Sequence, residues 1–167
     1  GSAGPGGGEH LCMVYFLHSA DTKMLHVPYK GIAQALGDVA GQEIHTTFAV
    51  VPAALPFVQG KRVRPVGVTS TKPSPLLPDV PPISDTIDGF ENFGWYSIIV
   101  PKATPAAVLD KLSAEIVKAI TEPEFGEQLK TLGIEIIGSS RAALDAFRKS
   151  ESKLLGDIVK QANLDIR

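Results

Sequence analysis

Hydrophobic residues along this chain follow two alternating periods, and the alternation predicts helices separated by short strands. Apolar positions recur at helical spacing in six segments: 9–20, 31–39, 52–59, 104–120, 122–132 and 140–162. Residues with high β-propensity dominate five others: 23–27, 43–48, 64–69, 92–100 and 134–137. Strands that alternate with helices along the chain are typical of an α/β fold with a mostly parallel sheet.

Prolines and glycines mark the expected ends of several elements. Pro28 cannot donate to a sheet ladder, so pairing of the preceding strand is expected to stop there. Gly31 is expected to give the backbone extra conformational freedom where the next helix begins. Residues 70–82 are rich in proline and predict a loop. This loop and the region 89–94 are the expected boundary between two lobes.

The two longest predicted helices have clear starts and apolar faces. Thr104 is expected to be an N-cap followed by Pro105 in the first turn, and Ser139 and Ser140 are expected to cap the last helix. The apolar stripe of the first of these helices is Val108, Leu109, Leu112, Ile116 and Ile120, and the expected buried face of the second is Leu144, Phe147, Leu154, Ile158 and Ala162.

Composition and charge exclude several classes of protein. With 44% hydrophobic and 20% charged residues among 167, the chain can form one large domain or two small lobes. A net charge of −2 argues against a nucleic-acid surface, which needs a basic face. No apolar run approaches the roughly 18 residues that span a bilayer. The single cysteine, Cys12, excludes an internal disulfide.

Reactive side chains do not form a recognisable catalytic or metal motif. No Gly-x-Ser-x-Gly elbow follows a predicted strand. Cys12 lies two residues from His10, which leaves a catalytic pair open, but a small thiol on the apolar face of a helix favours a core residue. The four histidines lack the spacing of a helical zinc site. We therefore expect neither a metal nor a cofactor.

Two turns are better candidates for binding. The glycine-rich residues 1–8 precede a helix, and residues 30–33 join a strand to the next helix. Unpaired N–H groups and the helix dipole make such turns ready sites for anions. Successive strand-to-helix turns emerge on the same edge of a parallel sheet, so the two turns are predicted to hold a small carboxylate between them.

These turns also resemble those of a known family. The pattern Gly1-Ser2-x-Gly4-x-Gly6-x-x-x-His10-Leu11, followed by His26-Val27-Pro28-Tyr29-Lys30-Gly31, resembles the substrate-binding proteins of tripartite tricarboxylate transporters, the Bug family. The resemblance continues through residues 60–61, 68–70, 75–81, Trp95, Pro101, 104–105 and 132–133 to the final helix.

The resemblance implies a fold and a function. The fold is that of a type II periplasmic binding protein, a receptor whose two lobes close around a small carboxylate and deliver it to integral membrane transporter subunits. The expected location is the periplasm, and neither an enzymatic activity nor a nucleic-acid partner is expected. The implied ligand-binding residues are Gly1, Ser2, Ala3, Gly4, Gly6, Tyr29, Lys30, Gly31, Ile32, Ala33 and, from a third strand end at 46–49, Phe48.

Some of these residues have alternative interpretations. Tyr29 either lines the cleft or packs beneath the turn, and packing is favoured. Lys30 is either an exposed charge at a helix start or a group that steers anions. Trp95 is interpreted as core near the hinge rather than as a ligand platform.

The chain departs from the family pattern in sequence and in length. Ile32 replaces a second glycine that usually follows Gly31, and Ala49 replaces an acidic or amide residue, so the pocket and its ligand are expected to differ. Family members are nearly twice as long. The chain is expected to be truncated at the N-terminus and to start inside a longer reading frame, because it lacks an initiating Met.

The missing length has consequences for the lobes. Residues 1–95 are expected to form most of lobe two, and 96–167 the part that returns to lobe one. A receptor that lacks half of its two-lobed binding site is expected to bind ligand weakly. Exposed apolar helix faces, such as Leu112 and Ile116, are expected to favour self-association.

Two rival functions stay open at this point. A nucleotide-binding α/β enzyme could use the glycine-rich turn, but it would need an acidic residue at the end of the second strand, where Tyr29 and Lys30 stand. An interaction or sensor module that transports nothing is the other.

Overall fold

Six α-helices are formed in residues 1–161, the part of the chain that the computed structural model describes. They are α1 (Gly8–Ser19), α2 (Ile32–Ala40), α3 (Val51–Gln59), α4 (Ala106–Thr121), α5 (Pro123–Thr131) and α6 (Arg141–Gln161), with a short 3-10 helix at Ile83–Asp85. All six predicted helices are confirmed. Ala162, assigned to the apolar face of the last helix, lies outside the described residues.

The helix starts agree with the expected caps except at α4. In α6 the Ala143 N–H donates to the Ser140 hydroxyl at 3.2 Å, so this serine is the expected cap. In α4 the N-cap is Pro105 rather than Thr104. The Thr104 hydroxyl instead donates to the Pro101 carbonyl at 2.7 Å, because it closes the preceding turn.

The predicted strands pair much less than expected. In the described part of the chain, pairing between extended segments is limited to single bridges, and the two that join distant segments, Ser2 to Pro28 and Val68 to Pro82, are parallel. None of the five predicted strands forms a ladder within residues 1–161, and those at 43–48, 92–100 and 134–137 are wrong, since these segments contain no bridge. Tyr96 and Ile99 are 84% and 87% exposed. A ladder needs successive backbone hydrogen bonds to a neighbouring strand. The Asn92 N–H donates to the Thr69 carbonyl at 3.0 Å, but no ladder follows from this bond within residues 1–161.

Pairing at Pro28 continues one residue further than expected. The Ser2 N–H donates to the Val27 carbonyl at 3.3 Å, and the Tyr29 N–H donates to the Ser2 carbonyl at 3.0 Å. Neither bond uses the nitrogen of Pro28, so its missing donor costs nothing in this register.

Two compact units divide the chain. The first comprises Gly1–Gly94 with the described residues from Leu154 on, and the second comprises Trp95–Lys153. The assignment of 1–95 and 96–167 to two lobes of a binding protein stays a prediction. No helix within residues 1–161 is both long and apolar enough to cross a membrane.

The first unit has an aromatic core next to α1. Phe90 is buried, and its ring stacks on Tyr15 with centroids 4.7 Å apart and meets Phe16 edge-on at 6.0 Å. Cys12 and Val14 of α1 are also buried. This packing fixes α1, and therefore the glycine-rich turn that leads into it.

The second unit is more open. Helix α4 packs against α5, and Arg141 forms an ion pair with Asp110. Trp95 meets the ring of Phe147 edge-on at 5.5 Å but is still 38% exposed. Trp95 therefore makes a packing contact within its own unit, although its exposure exceeds that of a core residue.

Candidate functional site

The glycine-rich turn and the turn at 30–33 lie side by side, as predicted. Their connection is the parallel bridge between Ser2 and Pro28. Because the two segments run in the same direction, both chains leave the bridge at the same edge. Helix α1 begins at Gly8 and α2 at Ile32, so two helix N-termini follow at this edge.

A third segment joins the same edge on the other side of residue 1. The Gly1 amino group donates to the Thr46 carbonyl at 2.7 Å, and the Thr47 hydroxyl donates to the Gly1 carbonyl at 2.9 Å. Phe48 follows directly, and its ring meets Phe16 of α1 edge-on at 5.9 Å. The segment 46–48 therefore flanks the turns, while the Phe48 ring is partly engaged with the aromatic core.

In the turns at 1–7 and 30–33, four backbone amides are available to a ligand. Within residues 1–161, the N–H groups of Ala3, Gly31, Ile32 and Ala33 have no acceptor at hydrogen-bond distance. Ala33 is exposed, and the other three residues are half-buried. The first N–H groups of a helix have no partner inside it, so those of Ile32 and Ala33 depend on water or a ligand.

The other amides of residues 1–7 and 30–33 are already used, whereas the Gly8 N–H at the start of α1 also has no acceptor in the described part of the chain. Gly4 donates to the Ser2 hydroxyl at 3.2 Å and Gly7 to the Gly4 carbonyl at 3.3 Å, while Gly6 donates to Nδ1 of His10 at 3.0 Å. The Lys30 N–H donates to the Gln34 side chain at 3.1 Å. Gly4, Gly6 and Lys30 were predicted as ligand-binding residues. Their amides shape the turns instead, and what remains free on Lys30 is its exposed side chain.

The reason expected for Gly31 is wrong. Its φ of −176° is extended backbone that any residue adopts, so no special freedom is needed at the start of α2. A Cβ at this position would meet no atom within 4 Å. The glycine therefore leaves open space beside the free amides. By contrast, Gly4, with φ at +132°, and Gly6, with φ at +71°, adopt conformations that side chains disfavour.

Tyr29 is half-buried, and its hydroxyl is occupied. That hydroxyl donates to the Asp38 carboxylate of α2 at 2.7 Å, and this hydrogen bond is the main cause that raises the pKa of Tyr29. Lys30 differs, because its ammonium group has no carboxylate partner in the part of the chain that the structure describes. It can attract an anion to the edge.

A network of buried Ser2 and His10 with half-buried His26 supports the glycine-rich turn. Ser2 is 0% exposed, and its hydroxyl lies 2.7 Å from Nε2 of His26. The rings of His26 and His10 stack with centroids 3.8 Å apart and planes 12° from parallel. Sequence reasoning missed this pair because it looked only at spacing along the chain. The parallel register of Ser2 with Pro28 is the signal that would have placed His26 beside Ser2.

The environment of this network disfavours a positive charge on its rings. Burial lowers the pKa of His10 below its ordinary value of 6.5. Burial also lowers the pKa of His26, with smaller contributions from the His10 ring and the Gly1 amino group. The serine and histidine do not form a nucleophilic pair, because a fully buried Ser2 gives no access to a substrate.

Cys12 is a core residue rather than a nucleophile. Its side chain is buried, and burial, helped by the charge of Glu9, raises its pKa to about 12. A thiol that stays protonated at neutral pH is a poor nucleophile. Across residues 1–161, no three His, Cys, Asp or Glu side chains are placed to hold a metal ion.

A basic recess lies elsewhere in the first unit. It has a volume of about 470 Å³ and is lined by Val58, Lys61, Arg62, Val63, Arg64 and Pro65. None of these residues belongs to the two turns, so the recess is a separate surface.

Comparison with known proteins gives a consistent match. The model of the tripartite tricarboxylate transporter family receptor, TctC, matches residues 1–164. A protein of the tcbD-tcbE intergenic region of Pseudomonas sp. (strain P51) is 36% identical over 98% of this chain and 49% of its own length. A protein of the clcB-clcD intergenic region of Pseudomonas knackmussii is 30% identical over 98% of both chains. The chain thus spans about half of the first relative and nearly all of the second.

Solved structures agree with the family match. An R. palustris protein determined with adipate has a TM-score of 0.84 and 26% identity, over 95% of this chain and 53% of its own. The periplasmic binding protein BugD has a TM-score of 0.79 and 28% identity, over 96% and 55%. The fold is that of the periplasmic solute-binding proteins. Such proteins are receptors rather than enzymes, so the alternative of a nucleotide-binding enzyme is wrong. The chain belongs to the tripartite tricarboxylate transporter receptor (TctC, or Bug) family.

Proposed function

We propose that residues 1–48 form one half of a binding site for a small dicarboxylate. The observation that carries this proposal is the set of four free amides, those of Ala3, Gly31, Ile32 and Ala33, at one edge of the parallel bridge. The structural relative determined with adipate supports the class of ligand.

Backbone amides at helix starts suit this task. A hydrogen bond to a charged group contributes about 1.5–3 kcal/mol, and a charge near a helix N-terminus adds roughly 0.3–1 kcal/mol. Two or three such contacts account for millimolar binding, which corresponds to about 4 kcal/mol. Lys30 adds a positive charge that brings the anion to the edge. A second lobe would supply the remaining contacts of a tight receptor.

The family also indicates a location and a partner. Receptors of this family are periplasmic and work with membrane transporter components. We propose the same location for this chain, and delivery of its ligand to integral membrane transporter subunits.

Self-association through exposed apolar side chains such as Leu112 is a further expectation.

Ligand-induced stabilisation tests the proposed binding. The melting temperature of the 167-residue chain is measured with adipate, with 1,6-hexanediol as the uncharged analogue of the same length, and with NAD and ATP. Adipate at twenty times its dissociation constant stabilises by roughly 1.8 kcal/mol, a rise of about 4–7 °C, and the diol gives none. Equal stabilisation by the diol, or stabilisation by the nucleotides alone, contradicts the proposal.

A further inference from the structure

The glycine-rich turn depends on a single side chain outside it for the amide of Gly6. That N–H donates to Nδ1 of His10, on the first turn of α1, at 3.0 Å. The Gly7 N–H donates to the Gly4 carbonyl at 3.3 Å and closes a β-turn with Pro5 and Gly6 at its centre. A φ of +71° suits glycine at this position of the turn. His10 adds the contact that connects this β-turn to α1.

This contact requires one particular proton state of the ring. A nitrogen can accept a hydrogen bond only if it carries no proton, so neutral His10 has its proton on Nε2. A second proton would go to Nδ1, which already faces the Gly6 N–H. Two donors would then oppose each other at 3.0 Å, and the contact would be lost.

His26 does not share this sensitivity. The Ser2 hydroxyl either donates to Nε2 of His26 or accepts from it while donating to the Gly4 carbonyl at 3.1 Å. Neutral and protonated His26 can therefore both keep the 2.7 Å contact to Ser2. Its stacked ring nevertheless disfavours a charge on His10, because two cationic rings 3.8 Å apart repel each other.

The other charged groups around the stack act in opposite directions. The Gly1 amino group, on the segment beside His26, disfavours a further positive charge. The carboxylate of Glu9, the preceding residue of α1, favours one. The Cys12 thiol is neutral, and the Tyr29 hydroxyl is paired with Asp38 on α2. His10 is 6% exposed, and burial lowers its pKa, so the neutral acceptor predominates at pH 7.

We infer that His10 is a positioning residue whose neutral ring holds the glycine-rich turn in the shape that binds carboxylate, so that acid releases the turn and weakens binding. The binding part of this inference rests on the proposed function. The part that concerns the turn is independent of any ligand.

The turn is tested first without ligand. The ring nitrogens of His10 and the amide of Gly6 are followed by NMR from pH 7.5 to 5, in the wild-type chain, in His10→Asn and in His18→Asn. Asparagine places a carbonyl acceptor near the position of Nδ1 and does not titrate. His18 is exposed on the same helix and serves as the matched control. We expect the Gly6 amide to titrate with the midpoint of His10 in the wild type and in His18→Asn, and to stay constant in His10→Asn.

Binding is tested second, with adipate as the probe. The apparent dissociation constant should rise below the His10 midpoint and level off about fivefold higher, because the protonated ring loses the contact to the Gly6 amide. The dependence should be lost in His10→Asn. His10→Phe keeps an aromatic ring against His26 but has no acceptor, and should bind about fivefold more weakly at pH 7.5.

The outcomes separate this inference from the proposed function. Adipate that fails to bind at every pH contradicts the proposed function, while the Gly6 titration still decides the role of His10. A Gly6 amide that does not follow the His10 midpoint in the wild type overturns the inference, even if a variant fails to fold. Tighter binding in acid also overturns it, since it would mean that the imidazolium attracts the ligand directly.

Discussion

Replacement of Gly31 by alanine separates the stability of α2 from the binding of a ligand. Alanine can adopt the observed φ of −176° and ψ of 157°, and its methyl group would meet no atom within 4 Å. A less flexible unfolded chain stabilises the variant by about 0.4–1 kcal/mol. Alanine is a poorer N-cap than glycine, which costs roughly 0.5–1 kcal/mol. The two effects offset each other, so the free energy of unfolding should change by less than about 0.5 kcal/mol.

The same methyl group should harm binding. It would fill the open space beside the free amides of Gly31, Ile32 and Ala33 and keep a carboxylate oxygen from at least one of them. Loss of one hydrogen bond to a charged group costs about 1.5–3 kcal/mol, which weakens binding roughly 10- to 100-fold.

The assay combines urea unfolding with the adipate dependence of the melting temperature. Gly37→Ala, inside the same helix, is the matched control, because a Cβ there also meets no atom within 4 Å. This control should stabilise α2 by about 1 kcal/mol and leave adipate affinity unchanged. Gly31→Ala with wild-type affinity, or with a loss of more than about 2 kcal/mol in stability, would refute the reasoning.

Three further outcomes follow from the same contacts. Lys30→Gln should weaken adipate binding two- to fivefold in 20 mM salt and much less in 200 mM salt, measured by titration at both ionic strengths. An equal loss of affinity at both salt concentrations would contradict a role of Lys30 in attracting the anion. The pKa of His10 and of His26 is lowered below 6.5, so the unfolded chain binds more protons. The urea midpoint should therefore be constant above about pH 6.5 and fall below it, and a rise in acid would contradict the burial of these rings. Cys12 should react with a thiol reagent at pH 8 far more slowly in the native chain than in urea, because burial raises its pKa to about 12; similar rates would show an open core.

The helices could be predicted from the sequence because their signals are local. Apolar spacing and the serine cap of α6 lie within the segments that they define. The strands could not be predicted equally well, because a ladder depends on a distant neighbour. Residues 92–100 have strong β-propensity, yet they form no ladder with another described segment.

The candidate site was predicted in position but not in detail. The parallel order of elements correctly placed the turns at 1–7 and 30–33 side by side. It could not reveal which amides are used internally, as at Lys30 and Gly6, since this depends on side chains from Gln34 and His10. Nor could it reveal the stacking of His10 on His26, which follows from a one-residue choice of register.

The central proposal is that free main-chain amides bind the carboxylate groups of the ligand. An amide ¹H–¹⁵N NMR titration of the 167-residue chain with adipate, with 1,6-hexanediol as the control, tests it most directly. Saturable shifts should concentrate at Ala3, Gly31, Ile32 and Ala33 and be absent with the diol. Unchanged amides at these four positions, or shifts confined to the basic recess at 61–64, would contradict the account.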